Sequence, residues 1–208
     1  MLRKVLTAGA MTMTIAAGSA AADDTALHQP WDDILGTYVV AYDDGVNRFD
    51  YGALQANADD SAKLDAYLES FAHFDVEALE ETEQFAAYSN IYNALTVQHI
   101  VGRYPIKSIR SGYLVGPWKR VFTVINGEEV SLDHIEHEIL RVDFDDPRVH
   151  YAVNCAAFSC PNLQDEAWFG ATLDSALDRA AAEYVNDPRG VTIRRNGTLQ
   201  VSTIYKWF

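Results

Sequence analysis

Apolar residues recur at three- and four-residue intervals through Trp31 to Tyr42, Leu54 to Phe71 and Phe85 to Arg103, and this spacing predicts three helices in the N-terminal half of the chain. The third should end near Tyr104-Pro105, because a proline ring disfavours the α conformation in the residue before it. Beyond that point the pattern changes. Arg120-Val121-Phe122-Thr123-Val124-Ile125 is β-prone, Asn126-Gly127 follows, and Glu128-Glu129-Val130 resumes an extended run. Asn-Gly supplies the positive φ angles that a two-residue hairpin turn requires. The same device recurs where Val191 to Arg195 and Thr198 to Thr203 flank Asn196-Gly197. Between the hairpins, Ser131-Leu132-Asp133 leads into a helix through Arg141, and Ala171 to Val185 reads as a helix with an Ala-rich face suited to close packing. Helices first and strands later predict an α+β fold, with a helical N-terminal half packed on a small antiparallel sheet built from the C-terminal hairpins.

The start of the chain bears on its compartment. Arg3 and Lys4 precede an apolar, uncharged run from Val5 to Ala17 and then Ala20-Ala21-Ala22, the order of a secretory signal peptide cut after Ala22. That run is shorter than the roughly 20 residues needed to cross a bilayer, and no later segment is long and apolar enough. The mature chain is therefore expected to be exported, periplasmic or extracellular, with no membrane insertion after signal removal. No repeat, low-complexity tract or linker divides it. The expected organisation is a signal peptide over 1–22, an N-terminal helical extension over 23–49 and one α+β domain over 50–208. The net charge of −14 becomes about −16 once Arg3 and Lys4 are removed, and the acidic residues are spread rather than gathered in a tail. Phosphate backbones and anionic lipid surfaces should be repelled, so no nucleic-acid partner is expected. The alternating terminus Tyr205-Lys206-Trp207-Phe208 has the look of an outer-membrane barrel's last strand, but such barrels need at least about eight strands, and only two or three short candidates are visible.

Several polar residues stand where local structure does not want them. Plotted at about 100° per residue, Leu132, Ile135, Ile139 and Leu140 form one apolar face and Glu136 falls inside it. A carboxylate there must be paired or protonated, with Arg148 or Arg110 as candidate partners and an acid/base or orienting role as the alternative. His137 sits at the edge of that face. His134 lies opposite, so the two do not make a metal pair despite their three-residue spacing. Asn90 and Asn93 are poor interior helix formers about 60° apart on one side; they either satisfy a neighbouring loop's backbone or bind a substrate. His99, among Phe85, Tyr88, Tyr92 and Leu95, reads as a hydrogen-bonded core residue. Cys155 and Cys160 are the two cysteines of the chain. In an oxidising compartment they favour a disulfide, with a catalytic thiol or a metal-bound or inert thiol as alternatives. His150 is badly placed as a base for Cys155 in either a strand or a helix, and His137 is the better candidate.

Asn90-Ile91-Tyr92-Asn93-Ala94-Leu95, then Ile135-Glu136-His137 with Ile139-Leu140-Arg141, then Asp146-Pro147-Arg148-Val149-His150 running into Asn154-Cys155 and Ser159-Cys160-Pro161, form an ordered set. Taken together over roughly Asp50 to Phe208, they resemble the family of domains of unknown function numbered 547. The resemblance implies that Asn90, Asn93, Glu136, His137, His150, Cys155 and Cys160 belong to a shared pattern. It also implies that related chains continue beyond a segment similar to Ile204-Tyr205-Lys206-Trp207, so that this one stops early. It implies no established activity.

Two functions compete on these residues. One is a thiol-dependent hydrolase or acyl transferase acting on a peptide-like or thiol-containing small molecule: Cys155 attacks, His137 takes its proton, Glu136 orients the imidazole and Asn93 helps hold the oxyanion. The other is a non-catalytic envelope binding module in which a Cys155–Cys160 disulfide locks the loop. There Asn90, Asn93, Arg148 and His150 belong to a recognition surface for a peptide, glycan or envelope partner. Metal chemistry through His137, His150 and a cysteine has suitable ligand types but no diagnostic spacing, and no metal or cofactor is expected.

Overall fold

The computed structural model describes residues 20–206, so nearly all of the expected signal peptide lies outside the described residues. Helix α1 (Ala20–Tyr38) buries Trp31, Ile34, Leu35 and Tyr38, the one-face spacing expected of it. The helical pattern was expected to run on to Tyr42, but Val39–Ala41 instead form strand β1, which pairs antiparallel with β2 (Asn47–Phe49) in the register Val39↔Phe49. Val39 and Val40 are β-branched and disfavour helix continuation, and Gly45, at φ +78°, makes the intervening turn. Residues 20–49 thus hold α1 and this ribbon, and α1 packs in the same core as the rest of the chain.

The helix expected over Leu54 to Phe71 is broken once. Helix α2 (Tyr51–Ala56) begins where the Asp50 carboxylate accepts from the Ala53 N–H at 2.9 Å. It ends at Asn57, whose own side chain accepts from the Asp60 N–H at 3.1 Å and so caps α3 (Ala58–Ser70). Helix α4 (Glu81–Val101) stops three residues before Tyr104-Pro105 and buries sixteen of its 21 residues. It is the central rod against which α1, α2 and α3 pack.

Strands β3 (Phe122–Ile125) and β4 (Glu128–Ser131) form the first expected hairpin, with Asn126 and Gly127 at φ +49° and +81° in its turn. The turn is docked, since the Asn126 and Gly127 N–H groups donate to Phe71 O and Ala72 O at 3.0 and 2.7 Å. Ser131 caps the short helix α5 (Leu132–His134), which runs directly into a π-helical turn over Ile135–Leu140. Helices α6 (Val149–Ala152) and α7 (Leu173–Asn186) follow, then the ribbon of β5 (Val191–Ile193) and β6 (Leu199–Val201). The α+β class holds. The strands form three separate two-stranded antiparallel ribbons among the described residues rather than one joined sheet, and the core is helical, centred on α4 and closed by Leu132, Ile135, Val149 and Leu177. No helix among the described residues is long and apolar enough to cross a membrane.

Candidate functional site

The two asparagines of α4 fix the loops around the site. The Asn90 amide donates to Trp168 O at 2.8 Å and accepts from Trp168 N at 3.0 Å. The Asn93 amide donates to Ala152 O at 2.8 Å and accepts from Asn154 N at 2.8 Å. Each side chain does for a passing loop what a neighbouring strand would do, and both are buried. These are the loop-satisfying amides of the two alternatives. Neither lines the cavity described below, and the oxyanion role expected of Asn93 is replaced by a backbone clamp.

The segment held by Asn93 runs straight into the cysteines. Asn154 accepts from the Ala156 N–H at 2.8 Å and donates to Pro161 O at 2.7 Å, bracing the loop from within. Ala156 sits at φ +56°, in the left-handed region that a residue with a Cβ enters at a cost. Cys155 and Cys160 are joined in a disulfide across this loop, with Cα atoms 6.6 Å apart. Cys155 in this form carries no thiolate.

The π-helical turn faces this loop. Its defining bond runs from Arg141 N to Glu136 O at 3.2 Å, five residues back. The wider turn advances less per residue than the α-helix assumed in the sequence plot, so Glu136 is half-buried rather than central to an apolar face. Its Oε2 accepts from the Tyr92 hydroxyl at 3.0 Å. Burial, and after it the Glu136 charge, hold the Tyr92 phenol far above its usual range, so it stays a donor. The expected cationic partner is therefore replaced by a neutral hydroxyl. Arg148 is engaged elsewhere, with Asp146, Asp174 and Asp178 at 2.7, 2.8 and 2.6 Å, where it ties the loop before α6 to α7. Arg110 is exposed.

His137 is exposed, with Nδ1 3.0 Å from a guanidinium nitrogen of Arg141. A guanidinium can only donate, so Nδ1 accepts and the neutral ring carries its proton on Nε2. Glu136 and His137 are sequence neighbours and point apart; no hydrogen bond joins them, so an imidazole oriented by Glu136 is not formed. His150 is buried on α6 and is pushed down to about 4 by burial first, then by Arg141 and His137. His99 is half-buried rather than in the core expected of it, near Arg103 and Tyr113 at 3.3 and 3.4 Å, and partial burial and then Arg103 lower its pKa. His134 is exposed and faces a different cavity.

Glu136, His137 and Cys155 do converge. They line one cavity of about 700 Å3, together with Val115, Gly116, Trp118, Lys119, Arg120, Asp133 and Arg141. Lys119 pairs with Asp133 at 3.4 Å across its edge. Gly116, at φ +93°, lets the chain fold so close to the Trp118 indole that any side chain there would run into the ring. Trp118, Lys119, Arg120 and Arg141 were not singled out from the sequence as site residues. A signal was present: residues 103–120 carry five cations and no carboxylate in a chain of net charge −14.

A family model described as "Protein of unknown function, DUF547" matches residues 76–185, just over half of the chain. The match takes in α4, the π-helical turn, the disulfide loop and nearly all of α7. No curated protein and no solved structure matches.

Proposed function

We propose that this chain, which belongs to the DUF547 family, is an exported, non-catalytic binding module whose cavity takes a small molecule with an apolar body and an anionic end. The observation that carries this reading is the make-up of the cavity: an indole and Val115 beside Lys119, Arg120 and Arg141, in a protein that otherwise repels anions. The Trp118 face suits an acyl or aromatic body. The guanidinium groups and the Nε2–H of His137 suit a carboxylate or phosphate, for which arginine offers paired donors. The disulfide holds the Cys155 wall in one conformation, and the Asn93 clamp holds the segment leading into it. N-acyl amino acids, which combine an apolar tail, an amide and a carboxylate, are a suitable probe set. Titrated into oxidised protein, they should change tryptophan fluorescence saturably, and Arg120→Ala with Arg141→Ala should weaken binding on the order of tenfold or more. Unchanged affinity in that double variant would reject the reading.

A second reading rests on one observation, that Cys155 lines this cavity beside His137. A thiol reductant would add two electrons and two protons to the disulfide and leave two thiols. Cys155 would then attack an acyl carbonyl after passing its proton to His137, and the leaving group would recover that proton; water or a second acceptor would release the acyl group. Arg141 would first have to leave Nδ1, so that the ring could present a lone pair at Nε2. Ester or thioester cleavage that appears only with reductant, and is lost in Cys155→Ser but kept in Cys160→Ser, supports this hydrolase or acyl transferase. Equal activity in both variants counts against it.

A further inference from the structure

The two most exposed large apolar side chains among the described residues are neighbours. Leu114 is fully exposed and Val115 is 83% exposed, at the tip of the long connection between α4 and β3. Single exposed apolar residues are ordinary, but an adjacent pair held out into water calls for a reason. The connection is braced on both sides of the tip. Before it, Ile109 is buried, the Arg103 guanidinium donates to Ser111 O at 2.6 Å and lies over the Tyr113 ring at 4.9 Å, and the Tyr113 N–H donates to Arg110 O at 3.0 Å. After it, Gly116 and Pro117 are buried, Pro117 O accepts from Val121 N at 3.0 Å, and Trp118 O accepts from Asp133 N at 3.0 Å. The fold therefore holds Leu114 and Val115 in solvent rather than leaving them on a loose segment.

The charges around the tip select its partner. It lies within the run over residues 103–120 that carries five cations and no carboxylate. Lys119 is answered by Asp133, but Lys107, Arg110 and Arg120 are exposed and form no ion pair with a described residue. The net charge of −14 predicts repulsion from anionic lipid, yet at physiological ionic strength charges are screened beyond about 8 Å, and those nearest the tip are positive. A nucleic acid would answer the cations and leave Leu114 in water. A folded partner would need a cavity that matches the tip, whereas a soft interface lets it press in. We infer that this loop docks the protein on an anionic lipid surface. Leu114 and Val115 enter the boundary between headgroups and acyl chains, and Lys107, Arg110 and Arg120 meet the headgroup phosphates, with no spanning segment involved. Val115 and Arg120 also line the cavity at Trp118, so docking brings that cavity to the lipid. The docking does not depend on the ligand proposed for the cavity.

Co-sedimentation with vesicles of equal parts phosphatidylglycerol and phosphatidylcholine tests this directly. The protein is recovered after export and checked by mass for loss of its apolar leader, which would itself bind lipid. Saturable binding is expected, with much weaker binding to vesicles of phosphatidylcholine alone. Leu114→Ser should weaken it on the order of tenfold, by withholding one leucine side chain from the interface. Lys107→Gln with Arg110→Gln should also weaken it on the order of tenfold. None of these three residues lines the cavity at Trp118, so ligand binding there should be unchanged in both variants. Ile193→Ser with Arg195→Gln, which removes an exposed apolar group and an exposed cation from the β5–β6 ribbon, should leave vesicle binding unchanged. Thermal melts of each variant confirm folding. Wild-type binding in Leu114→Ser, equal binding to the zwitterionic vesicles, or equal weakening in the ribbon control would overturn the docking loop. So would dimerisation in analytical ultracentrifugation that Leu114→Ser abolishes, which would assign the tip to a second copy of this chain.

Discussion

Replacing Asn93 with alanine isolates the bond pair that positions the disulfide loop. The side chain is 3% exposed and makes two hydrogen bonds, accepting from Asn154 N and donating to Ala152 O. The two ends are not equivalent. Ala152 O also accepts from the Trp168 indole at 3.1 Å and keeps that partner in the variant, whereas the Asn154 N–H loses the one bond it makes among the described residues. A half-buried donor left without its partner costs about 1–3 kcal/mol, and the vacated side-chain volume adds about 1 kcal/mol. The expected loss is about 2–4 kcal/mol, and for a domain of this size it lowers Tm by about 5–15 °C. Urea denaturation followed by circular dichroism measures the free energy directly, and an unchanged slope confirms that the denatured state is unaltered. Asn93→Leu separates bonding from packing, because it refills the volume and restores neither bond. If Asn93→Ala loses less than about 1 kcal/mol, or if Asn93→Leu matches wild type, the amide is filler and the clamp is refuted.

Three further outcomes follow from the same structure. Glu136→Ala should cost about 1–3 kcal/mol by removing the acceptor of the buried Tyr92 hydroxyl, while Glu136→Gln keeps an acceptor and should cost less than about 1 kcal/mol in chemical denaturation. Cys155→Ser and Cys160→Ser should lose equal stability, about 2 kcal/mol, the amount a loop this short contributes by constraining the unfolded chain; unequal losses would mean that one sulfur does more than hold the loop. His28 and His150 are both buried, and both have a folded pKa depressed from 6.5 to about 4, so each stays neutral in the fold and is protonated more readily in the unfolded chain. Their contribution is fully present above pH 6.5 and is lost as pH falls toward 4, by up to about 3 kcal/mol each. Melts across that window should show the decline, and His28→Phe should flatten it.

The helices and the two Asn-Gly hairpins were legible because their determinants are local: apolar spacing for α1, α3 and α4, and positive φ at Asn126, Gly127 and Gly197 for the turns. The first ribbon was not, because Val39 and Val40 continue the apolar run of α1 and only the partner strand Asn47–Phe49 reveals the change. Glu136, His137 and Cys155 drew attention because each conflicts with its local setting, and they do share a cavity. The pairing of Glu136 was missed because Tyr92 lies 44 residues away and because the turn is π-helical, a departure that α-helical spacing cannot anticipate. Trp118 and Lys119 were missed because they lie in a segment with no periodicity, and Arg120 because it reads as the start of a β-prone run; only the absence of carboxylates over residues 103–120 marked them out.

The all-round burial of α4 sets a clock for the whole molecule. Amide protons in its middle turns have no local opening to exchange through, since exposing them strips apolar contacts from α1, α3 and the π-helical turn together. They should exchange with deuterium only through global unfolding. Two loop amides are bolted to that rod by side chains: Trp168 N bonds to Asn90 and Asn154 N to Asn93. Both lie outside any helix or strand, where hydrogens ordinarily exchange quickly, yet they should be as slow as the rod itself. Protection would then extend from α4 to the threshold of the disulfide loop, making a rigid body whose edge is drawn by two amides rather than by secondary structure.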